Sequence, residues 1–307
     1  MRVVSLLPAA TEIVAALGGA ELLVGTSHEC DHPPSVADRP RLTRSRIRGG
    51  DSAAIDAAVR TAAANGLSLY DLDVERLRAL RPDVVITQDL CKVCAVALDE
   101  VQAALAELAG REVELVALAP TRLAHLFEDI ARVGVALHLE TAAARLNEQL
   151  VMRLAELERR AASAWSRPRV ATIEWLAPVM LGGTWMPELV AKAGGIAVGA
   201  VAGEHAPSPT RDELLALDAE FVLVKPCGYS LAQGQAEAAT IAAALPLARW
   251  PAGALKRVWL ADGSSYFNRP GPRLVDSAEL LAGCLHPELF RDLASRYAGA
   301  AVRLALP

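Results

Sequence analysis

LETAAARLNEQLVMRLAELERRAAS, residues 139–163, is the stretch on which the fold turns. Its apolar residues recur three and four positions apart, and neither Gly nor Pro interrupts it. The spacing predicts one helix of roughly 25 residues, hence roughly 37 Å at about 1.5 Å per residue. Arg167-Pro168 then punctuates the chain, because a residue before Pro is pushed away from helical geometry. Short strand-type runs flank this helix: Val3–Leu7, Leu22–Thr26, Val84–Thr87 and Val113–Leu118 before it, and Val170–Glu174, Phe221–Lys225 and Val258–Ala261 after it. They alternate with helix-period segments, as βαβ units around mostly parallel sheets do. The expected fold is therefore α/β, with an N-terminal lobe over 1–138, a connecting helix over 139–165 and a C-terminal lobe over 166–307.

Composition narrows the function classes. The 307 residues are 53% hydrophobic and only 4% aromatic, with a net charge of -5, which describes an Ala/Leu/Val-rich globular protein with ample core. A mildly acidic chain with scattered arginines is not expected to bind nucleic acid, and the basic run Arg41–Arg48 reads as a solvated loop. Mean hydropathy is positive, but charges such as Glu12 and Glu21 break every apolar stretch short of the roughly 20 residues a membrane helix needs, so no membrane insertion is expected. Met1 and Arg2 lead directly into the first strand-type run, with no signal-peptide pattern, so the expectation is a cytoplasmic protein. No phosphate-binding loop, dinucleotide fingerprint or Gly-x-Ser-x-Gly elbow is present, and no catalytic residues are assigned.

Unusual residues concentrate just after the strand-type runs, where α/β proteins gather ligand groups. In the first half these are Leu7 to Glu12, His28-Glu29-Cys30-Asp31-His32-Pro33-Pro34, and Gln88 to Cys94. In the second half they are Glu174 to Pro178 with Gly182 to Pro187, then Pro226-Cys227-Gly228-Tyr229, then Asp262 to Arg273. If each half is a βα lobe with its strand ends facing the other, both sets line one cleft between lobes.

The order RVVSLLPAATE from Arg2, Val24-Gly25, Pro33-Pro34, the Asp73, Glu75 and Leu77 region, Leu80-Arg81-Pro82-Asp83-Val84-Val85-Ile86, ELVAKAGG from Glu188 and Leu217 to Val222 resembles the metal-chelate and vitamin B12 class of substrate-binding proteins, of the class III periplasmic-binding-protein fold. The resemblance spans roughly residues 2 to 287. It implies two Rossmann-like lobes joined by one long helix, a ligand cleft between them, and a small-molecule metal chelate such as cobalamin or another corrinoid as ligand. The chain is most similar to leaderless members of that family, so an external ABC importer is not expected as its partner.

Candidate ligand-binding residues are Pro8, Glu12, His28, Gln88, Trp175, Trp185, Tyr229, Tyr266, Phe267, Arg269 and Arg273. Trp175 and Trp185 sit among Pro and Gly, where a flat amphipathic ring can face a macrocycle. Tyr266, Phe267, Arg269 and Arg273 share one Gly/Pro-rich loop, and guanidinium groups beside aromatics suit carboxylate, amide or phosphate substituents. Cys30, Cys91, Cys94 and Cys227, with His28 beside them, form the alternative reading: four thiolates from three loops suit tetrahedral zinc or an iron-sulfur cluster in a sensor or enzyme. A redox role for Cys91-x-x-Cys94 needs the first Cys at a helix N-terminus, whereas Asp99 reads as the better helix start. Buried structural thiols remain a third reading, and Cys284 reads as core.

Overall fold

Val3, Val4 and Ser5 are completely buried, the mark of a central parallel strand covered on both faces. In the computed structural model, which describes residues 1–47, 49–65, 67–89, 98–106 and 112–305, they form β1 (Val3–Ser5). The chain divides into two compact units: unit 1 holds residues 1–50, 54–120 and 124–149, and unit 2 holds 51–53, 121–123 and 150–307.

In unit 1, β1 lies between β2 (Leu23–Thr26) and β5 (Val84–Gln88), and β6 (Glu114–Leu118) closes the edge; all four strands are parallel. A short antiparallel pair, β3 (Thr43–Ser45) with β4 (Tyr70–Leu72), stands apart from the sheet. Val4, Leu6, Leu42, Leu77, Val85 and Val101 build the core on one side of the sheet.

Unit 2 is organised around β7 (Arg169–Leu176), which pairs in parallel with β9 (Ile196–Ala197) and β10 (Phe221–Val224) and antiparallel with β8 (Val179–Leu181). β11 (Val258–Ala261) extends the parallel set, and β12 (Ala301–Arg303) runs antiparallel along its edge. Ile173, Val222, Val224, Trp250 and Leu260 are among its fully packed core residues. The parallel strands of each sheet end on one edge, so each unit has its own row of strand-end loops.

The long helix forms over Glu140–Ala161, 22 residues or about 33 Å. Its residues 140–149 belong to unit 1 and 150–161 to unit 2. In unit 2, Arg153 on this helix makes a bidentate pair with Glu279 at 2.9 and 2.8 Å, and Arg160 pairs with Asp292 at 2.6 Å while lying over the Phe290 ring. The helix Leu98–Ala106 begins one residue before Asp99.

Three details differ from the sequence reading. β1 stops at Ser5, and Pro8 opens the helix Pro8–Ala16, because a Pro at the first helical position has its φ preset and lacks an N–H that would go unbonded anyway. Pro8 and Glu12 therefore sit on a helix rather than a loop. β7 runs on through Trp175 and turns back at Ala177-Pro178 into β8, so Trp175 is a strand residue. β3, β4, β8, β9 and β12 span two or three residues each, too few for alternation to register.

Candidate functional site

In unit 1, the turn after β2 is built from inside. Arg41 Nη1 donates to Thr26 Oγ1, Ser27 O and Cys30 O at 2.8, 3.0 and 2.6 Å. This clamp makes Arg41 a structural residue rather than part of a solvated basic run; Arg44, by contrast, is 82% exposed. Cys30 is fully buried, and its Sγ lies 3.0 Å from Thr11 Oγ1 and 3.2 Å from Ser27 Oγ. Burial pushes its thiol pKa up, against the hydrogen bonds from Ser27 and Thr11. Its hydroxyl partners satisfy it as a neutral thiol, the environment of a structural cysteine.

His28 crosses from this turn to β3. Its backbone N–H donates to Thr43 Oγ1 at 3.0 Å, and its Nδ1 lies 2.7 Å from the same oxygen. Tyr70 tilts against the imidazole at 5.5 Å, and Nε2 lies 4.0 Å from Glu29. Burial, followed by the charge of Arg41, lowers the His28 pKa, which favours the neutral ring that metals bind. Glu12 is 4% exposed and Gln88, the last residue of β5, is 8% exposed.

In unit 2 the loop after β11 packs inward. Trp185 and Phe267, read from sequence as ligand-facing aromatics, are 6% and 0% exposed, and Trp185 Nε1 donates to Phe267 O at 2.7 Å. Phe267 has left-handed backbone, φ 69°, at a cost of about 1 kcal/mol. Ser277 Oγ accepts its N–H at 2.9 Å and Trp185 binds its carbonyl, so both backbone groups are satisfied. Arg273 lies over the Tyr266 ring at 5.8 Å, and Arg269 donates to Ser264 Oγ at 3.3 Å.

Trp175 and Tyr229 meet edge to face, ring centroids 5.4 Å apart, with Trp175 half-buried. Tyr229 is 5% exposed and donates to Glu237 at 2.8 Å; burial and that bond raise its pKa. Beside the pair, Lys225 Nζ donates to Glu174 Oε2 at 2.7 Å and to Asn268 Oδ1 at 2.6 Å. Lys225 and Asn268 join this candidate cluster without belonging to any motif. The signal was a charged residue closing the apolar run Phe221–Val224, where a buried parallel strand has no use for one.

Cys227 follows β10 and is exposed, and Cys284 is half-buried with its pKa pushed up by burial to about 12. Cys91 and Cys94 lie outside the described residues. Among the described residues no three His, Cys, Asp or Glu side chains are grouped to hold a metal ion. Likewise, no described helix is long and apolar enough to cross a membrane. A surface groove of about 420 Å³ in unit 2, lined by Leu181, Gly199, Pro207 and Leu217, includes none of the candidate residues.

Among curated proteins, none matches the sequence significantly. Solved structures do resemble it. The periplasmic haem-binding protein RhuT from Roseiflexus sp. RS-1 aligns with TM-score 0.69 at 22% identity, covering 95% of this chain and 98% of that one. The periplasmic vitamin B12 binding protein BtuF of Vibrio cholerae aligns with TM-score 0.65 at 19% identity, covering 93% and 96%. The haem-binding protein HutB of Vibrio cholerae gives TM-score 0.70 at 19% identity, covering 94% and 99%. These likenesses establish the fold. A sequence model of the periplasmic binding proteins matches residues 3–264, and the chain belongs to that family.

Proposed function

We propose that this protein is a non-enzymatic binding protein for a flat metal chelate, a corrinoid such as cobalamin or a related macrocycle, taken up by strand-end loops. The observation that carries the reading is the Trp175–Tyr229 pair at the carboxyl edge of the unit 2 sheet, next to the partly exposed Glu174. Aromatic faces bury large flat surface at low entropic cost, and a polar rim orients it. The names of RhuT and BtuF, a haem binder and a vitamin B12 binder, point to the same chemical class.

The test is titration of the purified protein with aquocobalamin, cyanocobalamin and haemin, followed by visible absorption and calorimetry. Saturable binding of at least one is expected, weakened at least tenfold by Trp175→Ala; no binding of any of the three refutes the reading. The four-thiol alternative is tested by anaerobic purification with metal analysis: stoichiometric zinc or iron supports it, and the burial and hydroxyl contacts of Cys30 favour a metal-free result.

A further inference from the structure

β7 and the segments that follow β10 and β11 bring a carboxylate, a lysine and an amide to one point in unit 2. Lys225 directly follows β10 and is 1% exposed. Its ammonium holds Glu174 Oε2 and Asn268 Oδ1 at 2.7 and 2.6 Å. Asn268 is oriented by its own amide, whose Nδ2 donates to Lys225 O at 3.1 Å and Gly263 O at 2.9 Å, so its oxygen is the end turned to the ammonium. Gly263 is required by close approach: a Cβ there would lie 2.1 Å from Pro226 O. Glu174 falls at the register shift between Ile173 and Trp175 in the β7–β8 pairing, and such irregularities re-aim a side chain. Its carbonyl accepts from Cys227 N at 3.0 Å, tying the strand to the loop after β10.

Stability gives no reason for this arrangement. A buried ammonium is costly to desolvate, and apolar residues of similar volume in place of a buried ion pair are commonly as stable or more so. What the pair does provide is a carboxylate with one oxygen fixed and one open. Glu174 is 27% exposed, and its Oε1 has no hydrogen-bond partner among the described residues. An ionised carboxylate accepts hydrogen bonds and cannot donate them.

We infer that Glu174, set in place by Lys225 and Asn268, selects chelates whose rim carries amide or ammonium donors over chelates whose rim carries ionised carboxylates. The inference rests on the chelate-binding reading and names its class: a corrinoid brings carboxamide N–H donors to the open Oε1, whereas the propionates of a porphyrin bring only acceptors to it.

The test compares cyanocobalamin and haemin on wild-type protein, Glu174→Met/Lys225→Met and Glu174→Gln, with folding checked by circular dichroism and thermal melting. Wild type is expected to prefer cyanocobalamin by at least tenfold. The double variant is expected to keep or raise its melting temperature, lose at least tenfold in cyanocobalamin affinity and hold or gain affinity for haemin. Should the double variant fail to fold, Glu174→Gln, which keeps a bond to Lys225 without the charge, is expected to narrow the preference at least threefold. A folded variant with an unchanged affinity ratio, or a wild-type preference for haemin, overturns the inference and leaves the chelate-binding reading standing. Wild-type protein that binds neither overturns both.

Discussion

Replacing Asp129 by Asn should stabilise unit 1 near neutral pH and leave it unchanged in acid. Asp129 lies on the helix Leu123–Ala136 and is 3% exposed. Its Oδ1 accepts from Arg132 at 3.2 Å, while its Oδ2 is buried without a partner among the described residues. Burial, opposed by Arg132, raises its pKa from 3.8 to about 6. The unfolded chain therefore loses this proton more readily than the folded one, so stability declines as pH rises from about 3.8 to about 6 and is level above that. At about 1.36 kcal/mol per pH unit the cost of carrying the ionised group is about 3 kcal/mol, and discounting it for solvent screening leaves about 2 kcal/mol. Asn keeps the acceptor for Arg132 and removes the charge. All five Trp lie between residues 165 and 259, in unit 2, so unfolding in urea is followed by far-UV circular dichroism or by amide exchange in unit 1. A gain of about 2 kcal/mol at about pH 7.5 that vanishes near pH 3.5 is expected. An equal effect at both pH values, or a loss at pH 7.5, would refute the electrostatic argument, since it would mean that Oδ2 makes a bond the fold needs.

His28 behaves in the opposite sense: its pKa is lowered by burial and by Arg41, so it contributes a loss of stability as pH falls from the unfolded His value near 6.5 through the lowered folded value. His28→Gln should flatten that acid limb relative to wild type in urea titrations at stepped pH; an unaltered limb counts against the burial argument. Gly263→Ala places a Cβ 2.1 Å from Pro226 O and should cost about 2 kcal/mol or more through backbone displacement, visible as a lower melting temperature in Trp fluorescence, whereas a neutral result would show that the Pro226 loop yields freely. Arg153→Met strips Glu279 of its bidentate partner, leaving Arg296 and Tyr297 at 3.2 and 2.6 Å, and should destabilise unit 2 by about 1 to 2 kcal/mol; restoration of stability in Arg153→Met/Glu279→Met would confirm that the loss is an orphaned charge.

The elements that sequence alone determined are those whose signal is local. The helix over Glu140–Ala161 follows from apolar spacing, and the central strands β1, β5, β7 and β10 from short, mostly apolar runs, because burial on both faces favours them. The ordered motifs from Arg2 to Val222 were enough to indicate the family. What the tertiary structure decided is which side chains meet. The same polar clusters after the strands hold Trp175 half-buried at the site, bury Trp185 against the Phe267 carbonyl, and enclose Cys30 among hydroxyls. Nothing near in sequence separates these outcomes. Glu174 and Asn268 lie 51 and 43 residues from Lys225 in the chain, and their meeting depends on the β7–β10 register and the shift at Glu174. Register places a side chain on one face or the other with no change in local pattern, so the polar group that best defines the site became visible only once the strands were paired.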